Sequence, residues 1–144
     1  MAMINKFREA MIKEFEMTDL GLMSYFMGLE VFQTADGIFV SQQRYAKETL
    51  KRFKMNDCKS ILTPVGSRLK LTKEGTGELV KPTDYKCLVG SLRYLTSTRS
   101  DIVFCVGLIS RFMESPKQSH LQAAKRILRY ISDTIDYEIL YNST

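Results

Sequence analysis

Arg44, Lys47, Lys51 and Lys54 recur at i, i+3, i+7 and i+10, a spacing that lines four cations along one side of a helix. Such a stripe can neutralise several phosphates of a nucleic acid, and binding of that kind weakens steeply with salt. The stripe also fits a solvated helix face, since Glu48 and Arg52 lie beside it. Other chemistry is thinly supplied. His120 is the single histidine and sits beside Leu121 near an expected helix start, where a local packing contact is expected. Cys58, Cys87 and Cys105 are odd in number and lack CxxC spacing, which argues against a disulfide framework and a zinc site. Cys105 reads as a small core residue, and Asp133 and Asp136 as solvated turn acids. Gly75-Thr76-Gly77 is followed neither by the last glycine of a dinucleotide loop nor by Gly-Lys-Ser/Thr. No catalytic group and no metal-ligand set is predicted, so the chain is not expected to be an enzyme by itself.

The 144 residues suit one ordinary domain, and 44% hydrophobic with 26% charged residues is a globular balance. A net charge of +5 permits an anionic partner without naming one. No apolar run approaches the ~20 residues of a membrane span. The start, Met1-Ala2-Met3-Ile4-Asn5-Lys6, lacks the apolar core of a signal peptide. An intracellular protein of the cytoplasm or nucleus is expected, with no membrane partner.

The elements that position these residues follow from periodicity and turn chemistry. Ile4, Phe7, Met11 and Phe15 predict an amphipathic helix over Asn5–Met17. Tyr25–Phe32 and Gly37–Val40 read as strands joined across Asp36-Gly37, a hairpin signal. Gly28 inside the first strand implies a bulge or a close backbone approach. Ser41 is the expected N-cap of a helix reaching Lys54, with Ala46, Leu50 and Phe53 as its apolar stripe. Gly, Pro, Ser, Thr and Lys dominate the stretch to Thr83, which reads as a long loop or linker. Three helices follow. Asp84–Ser97 is capped by Thr83; Asp101–Met113 is capped by Ser100 and, apolar nearly all round, is expected to be the most buried; the last opens at Ser115-Pro116. Tyr137–Tyr141 reads as a strand without an evident partner.

Several segments then resemble the copia-type retrotransposon reverse transcriptases. They include Phe15–Gly21, Tyr25–Val31, Gly37–Gln42, Tyr85–Leu95, Thr98–Ile102, Ser110–Met113 and Ala123–Tyr130, in one order along nearly the whole chain. One departure is visible: Ser100 stands where the family usually carries proline. The resemblance places the family's Tyr-Val-Asp-Asp strand before residue 1 and its ribonuclease H segment after residue 144. It implies an α+β fold: a small antiparallel hairpin with an N-terminal helix, then a helix and a three-helix thumb-like bundle. Residues 1–57 correspond to the palm end with a primer-grip-like hairpin, 58–83 to a linker and 84–144 to the thumb.

The same resemblance implies a template–primer surface. Met27, Gly28 and Leu29 match the primer grip, where a backbone lacking Cβ can approach a phosphate. Lys86, Gly90 and Tyr94, spaced i, i+4, i+8, match a thumb helix lying against the minor groove. An equally open reading makes Gly90 a site of tight helix packing and Tyr94 a core residue. The implied partners are an RNA–DNA or DNA duplex, or single-stranded RNA. No cofactor is expected in this chain, whereas the full enzyme would use Mg2+. The helix and hairpin at the start would ordinarily cover a palm sheet, so exposed apolar faces are expected, with self-association or missing polymerase parts in trans. The competing reading is a domesticated or truncated element acting as a protein-interaction module without nucleic-acid binding.

Overall fold

The computed structural model describes residues 2–142. Met1, Ser143 and Thr144, which the expected segments 1–57 and 84–144 include, lie outside the described residues. Helix α1 spans Ala2–Glu14, slightly earlier than expected. The apolar run Tyr25–Phe32 is not one strand but a hairpin. β1 (Tyr25–Phe26) pairs with β2 (Leu29–Gln33) across a two-residue turn of Met27 and Gly28. Both turn residues have positive φ, 48° and 83°, the signature of the type I′ turn whose twist matches the strands it joins. Gly28 is therefore neither inside a strand nor at a bulge. The apolar Met27 hid the turn from pattern reading.

β2 pairs with β3 (Ile38–Ser41) across the expected Asp36-Gly37 turn. Helix α2 follows at Gln43–Arg52. Ser41 does not cap it: Ser41 is still paired with Glu30 in the ladder, and the N-cap position is Gln42. Helix α3 covers Pro82–Leu95 with Lys81 at the N-cap, because Pro82 itself opens the helix and displaces Thr83 inward. Ser100 likewise caps nothing; it begins a 3-10 turn, Ser100–Ile102, that leads into α4 (Val103–Ser110). Helix α5 runs Gln118–Asp133, and the Pro116 carbonyl instead accepts Val80 N–H at 2.9 Å. The final strand β4 (Ile139–Tyr141) finds its partner in β3, completing a four-stranded antiparallel sheet in the order β1-β2-β3-β4. The whole is α+β, with five α-helices among the described residues. No helix among them is long and apolar enough to cross a membrane.

The core joins α2 to the three C-terminal helices. Ala46 and Leu50 of α2 share one cluster with Leu88, Leu92 and Leu95 of α3, Ile109 of α4, and Ala124, Ile127, Leu128 and Ile131 of α5. Burying each large aliphatic side chain contributes about 1.5–3 kcal/mol. Helix α4 is less buried than its composition suggested. It is only 8 residues long, and it turns Cys105, Val106 and Ile109 inward while leaving Phe104 70% exposed. Burial pushes the Cys105 thiol pKa up.

The stretch before α3 carries little regular structure, yet it is docked along α5. Arg129 Nε donates to Lys59 O at 2.8 Å, Arg126 reaches Thr63, and Gln118 N donates to Glu78 O at 3.0 Å. His120, fully buried, pins it by both ring nitrogens. Nδ1 accepts from Lys117 N at 3.0 Å, so Nε2–H is the donor to Thr72 O at 2.8 Å. The ring also stacks on Phe112 with centroids 4.0 Å apart.

Thr98-Arg99-Ser100-Asp101 builds a polar joint. The Arg99 guanidinium, 4% exposed, forms two hydrogen bonds with Asp101, at 3.0 and 2.7 Å, and reaches the Thr134 carbonyl and hydroxyl. Tyr130 Oη donates to the same carboxylate at 2.9 Å. Burial would raise the Asp101 pKa, but hydrogen bonds from Arg99 and Tyr130 and the charge of Arg99 outweigh it and hold the carboxyl below its usual value. Folded Asp101 therefore binds its proton less tightly than the unfolded chain does. Its contribution to stability is complete above the ordinary carboxylate range, near ~3.9, and is lost as pH falls through the lowered folded value. Urea unfolding followed from pH 7 downward should show that acid-side loss in the natural chain. In Asp101→Asn it should be flatter, from a lower starting stability.

Candidate nucleic-acid interface

Gly28 and Tyr94 are far apart in sequence and adjacent in space. A Cβ on Gly28 would lie 3.0 Å from the Tyr94 hydroxyl oxygen and 3.2 Å from its ring. Tyr94 is half-buried and also meets Tyr45 of α2 edge to face, with ring centroids 4.7 Å apart. The absence of a side chain at Gly28 is thus required within the chain, first by its φ of 83° and then by the tyrosine. Gln42, 3% exposed, locks the same junction: its amide nitrogen donates to Tyr94 O at 3.2 Å and its amide oxygen accepts from the Thr98 hydroxyl at 2.9 Å.

Gly90 sits one turn before Tyr94, and Lys86 one turn before that. The row spans about 12 Å along α3. Lys86 and Gly90 are exposed, and a Cβ on Gly90 would meet nothing within 4 Å. Tight helix packing is therefore not the reason for this glycine. Met27, at the tip of the hairpin turn, is 72% exposed, while Leu29 is half-buried beneath it. Lys86, Gly90 and Tyr94 follow one row of α3, and the approach of Tyr94 to Gly28 joins that ledge to the turn that carries Met27.

The basic stripe is only partly as expected. Arg44, Lys47 and Lys51 are exposed on the outer face of α2. Arg44 is engaged: its backbone N–H donates to Glu30 Oε2 at 2.9 Å, its Nε lies 3.5 Å from Glu30 Oε1, and its guanidinium sits 5.8 Å from the Tyr25 ring centre. Among the described residues, Lys47 and Lys51 form no ion pair. Lys54 is not on the helix, which ends at Arg52. It occupies the left-handed position of a Schellman turn with φ 55°, its N–H on Lys51 O and Met55 N–H on Leu50 O. Glycine would hold that conformation at less cost. Sequence reasoning missed Gln42, Thr98 and Arg99. The segments Gly37–Gln42 and Thr98–Ile102, which carry part of the family resemblance, include them without indicating a role.

Residues 1–67 match the family model described as "Reverse transcriptase (RNA-dependent DNA polymerase)". The Retrovirus-related Pol polyprotein from transposon RE1 of Arabidopsis thaliana is 39% identical over 127 residues, 88% of this chain and 9% of that protein. The corresponding polyprotein from transposon TNT 1-94 of Nicotiana tabacum is 37% identical over 142 residues, 92% of this chain and 11% of its own length. The chain carries a copia-like retrotransposon reverse-transcriptase region. An uncharacterized mitochondrial protein of Arabidopsis thaliana is 37% identical over 121 residues, 84% of this chain and 50% of the relative. The reverse-transcriptase region here thus spans about a tenth of the Pol polyproteins and half of that shorter relative. No solved structure matches it.

The two ledge glycines should respond oppositely to alanine. Gly28→Ala should cost about 1–2 kcal/mol, through a left-handed backbone and the Tyr94 contact. Gly90→Ala should add up to ~1 kcal/mol by helix propensity. Urea unfolding midpoints measure both, and equal effects would contradict the geometry.

Proposed function

We propose that this reverse-transcriptase region holds template–primer nucleic acid, an RNA–DNA or DNA duplex or single-stranded RNA, without sequence preference. Gly90 is the observation that carries this reading. A glycine inside an exposed helix turn costs ~1 kcal/mol relative to alanine, and no contact among the described residues uses the space it leaves. Close approach of an A-like duplex uses it, because such a duplex presents a wide, shallow minor groove read by shape and backbone. Lys86 supplies a cation at one end of the ledge. Tyr94, Gly28 and Met27 supply a rigid turn at the other, with Leu29 supporting it. Lys47 and Lys51 on α2, with Arg44 beside the hairpin and Lys54 past the helix end, supply further positive charge for a phosphate backbone.

In this reading the polymerisation chemistry lies outside these residues. Two-metal phosphoryl transfer needs carboxylates that hold two ions about 3.5–4 Å apart. No Tyr-Val-Asp-Asp sequence occurs in the 144 residues. Among the described residues no three His, Cys, Asp or Glu side chains gather where they could hold an ion. In this reading no chemical step is assigned to the residues present.

Fluorescence anisotropy with a labelled RNA–DNA hybrid across a salt series tests the reading. Affinity should fall steeply with salt. Lys47→Glu with Lys51→Glu should flatten the logarithmic slope by about 2. Gly90→Ala should weaken binding by about tenfold, ~1.4 kcal/mol, in a chain that is more stable than the natural one. No binding at low salt would favour the interaction-module reading, and natural affinity in both variants would remove the ledge and stripe from the interface.

A further inference from the structure

Lys125, Arg126 and Arg129 of α5 line an open groove of about 490 Å³. Its opposite wall is the strap, the stretch before α3, which contributes Met55 and Leu69. Both walls are internal segments of the chain. No Asp or Glu among the described residues lines the groove. Asp57, two residues from Met55, accepts from Asn56 Nδ2 at 2.6 Å and is not part of the lining. Lys125 and Arg129 stand one helical turn apart, i to i+4, a spacing at which like charges repel. Among the described residues none of the three cations is in an ion pair.

The two arginines are engaged, but only with neutral acceptors. Arg129 Nε donates to Lys59 O at 2.8 Å. Arg126 donates through Nε to Thr63 O at 3.2 Å and through Nη2 to the Thr63 hydroxyl at 3.0 Å. These bonds orient both guanidinium groups and cancel neither charge. They leave both Nη groups of Arg129 and Nη1 of Arg126 as donors. A guanidinium held at Nε presents a planar fork of N–H groups, a geometry that matches phosphate oxygens. Because the strap already fixes these side chains, little rotamer freedom is lost when an anion arrives.

Length and lining select the ligand. The groove follows α5 from Ser119 to Arg129, about 15 Å at the helical rise of about 1.5 Å per residue. A free phosphate would occupy one end of it, whereas a strand fills it. Met55 and Leu69 give sugars and bases an apolar surface that a bare anion does not use. We propose that this groove is a second phosphate-binding site, which takes the backbone of a single nucleic-acid strand on Lys125, Arg126 and Arg129. It uses no residue of the ledge or of the α2 stripe, so either site can fail without the other.

The Nε–H signals of Arg126 and Arg129, held by the strap, report on the groove in proton–nitrogen NMR spectra of the full chain. Inorganic phosphate and a six-nucleotide single-stranded RNA are titrated separately, with ionic strength held constant by chloride. Both should shift the two signals saturably, the RNA with a dissociation constant lower by about tenfold or more, since it engages several cations at once. Lys125→Glu touches no strap contact. It should weaken the RNA response by about tenfold while the urea midpoint is kept. Lys47→Glu with Lys51→Glu should leave the response in place, which separates this site from the α2 stripe. Signals unmoved by either probe, or moved equally by chloride, would overturn the proposal. Equal affinity for phosphate and RNA would overturn the strand as ligand and leave a free-phosphate site. A six-residue glutamate peptide binding as tightly as the RNA would overturn it in favour of an acidic protein segment.

Discussion

The carboxamide of Gln42 is the joint on which the rest of the arrangement depends. It lies where β3 hands the chain to α2, and it bonds the last turn of α3 and Thr98 together. Each such bond contributes only about 0.5–1.5 kcal/mol net. Its larger effect is the penalty for leaving it unmade: a buried carboxamide without a partner costs about 1–3 kcal/mol. The hairpin is thereby fixed in one position against α3. Tyr94 completes the fit by filling the space that Gly28 leaves open. Among the described residues no buried side-chain nitrogen or oxygen lacks a partner.

The remaining polar contacts serve the same end from other directions. Arg99 joins the α3–α4 corner to the end of α5 through Thr134, and its guanidinium also lies 5.1 Å from the Tyr137 ring centre, just before β4. β4 then closes onto β3, so the sheet is held by both ends of the chain's folded region. His120 fixes the stretch before α3 to the start of α5. Helix, turn and strap are thus mutually braced. The α1 segment stands outside this bracing, with none of its residues buried.

Legibility in the sequence followed the range of the signal. Periodicity located α1, α2, α3 and α5, and for the last three their inward residues, because each helix carries its own apolar stripe; the α1 stripe meets nothing that buries it. Local capping chemistry did worse. Ser41 was claimed by the ladder, Ser100 by a 3-10 turn, and Thr83 was overtaken by Pro82. α4 misled because an all-round apolar composition says nothing about how many sides find neighbours. The Met27-Gly28 turn was masked by an apolar residue in a left-handed conformation. The pairing of β4, the meeting of Gly28 with Tyr94 and the partners of Gln42 are long-range facts, for which a single sequence carries no local signal. The row Lys86, Gly90, Tyr94 was legible as a helix face, but whether Gly90 looked inward or outward was not.

The central claim is that the hairpin turn and α3 present one surface to nucleic acid. Amide chemical-shift mapping during titration with an RNA–DNA hybrid tests it most directly, since glycine amides fall in a separate region of the spectrum. The account predicts saturable shifts at Met27, Gly28, Lys86 and Gly90 together, with a smaller set along Lys47 and Lys51. Saturable binding that left Gly28 and Gly90 unmoved while shifting amides elsewhere would contradict it.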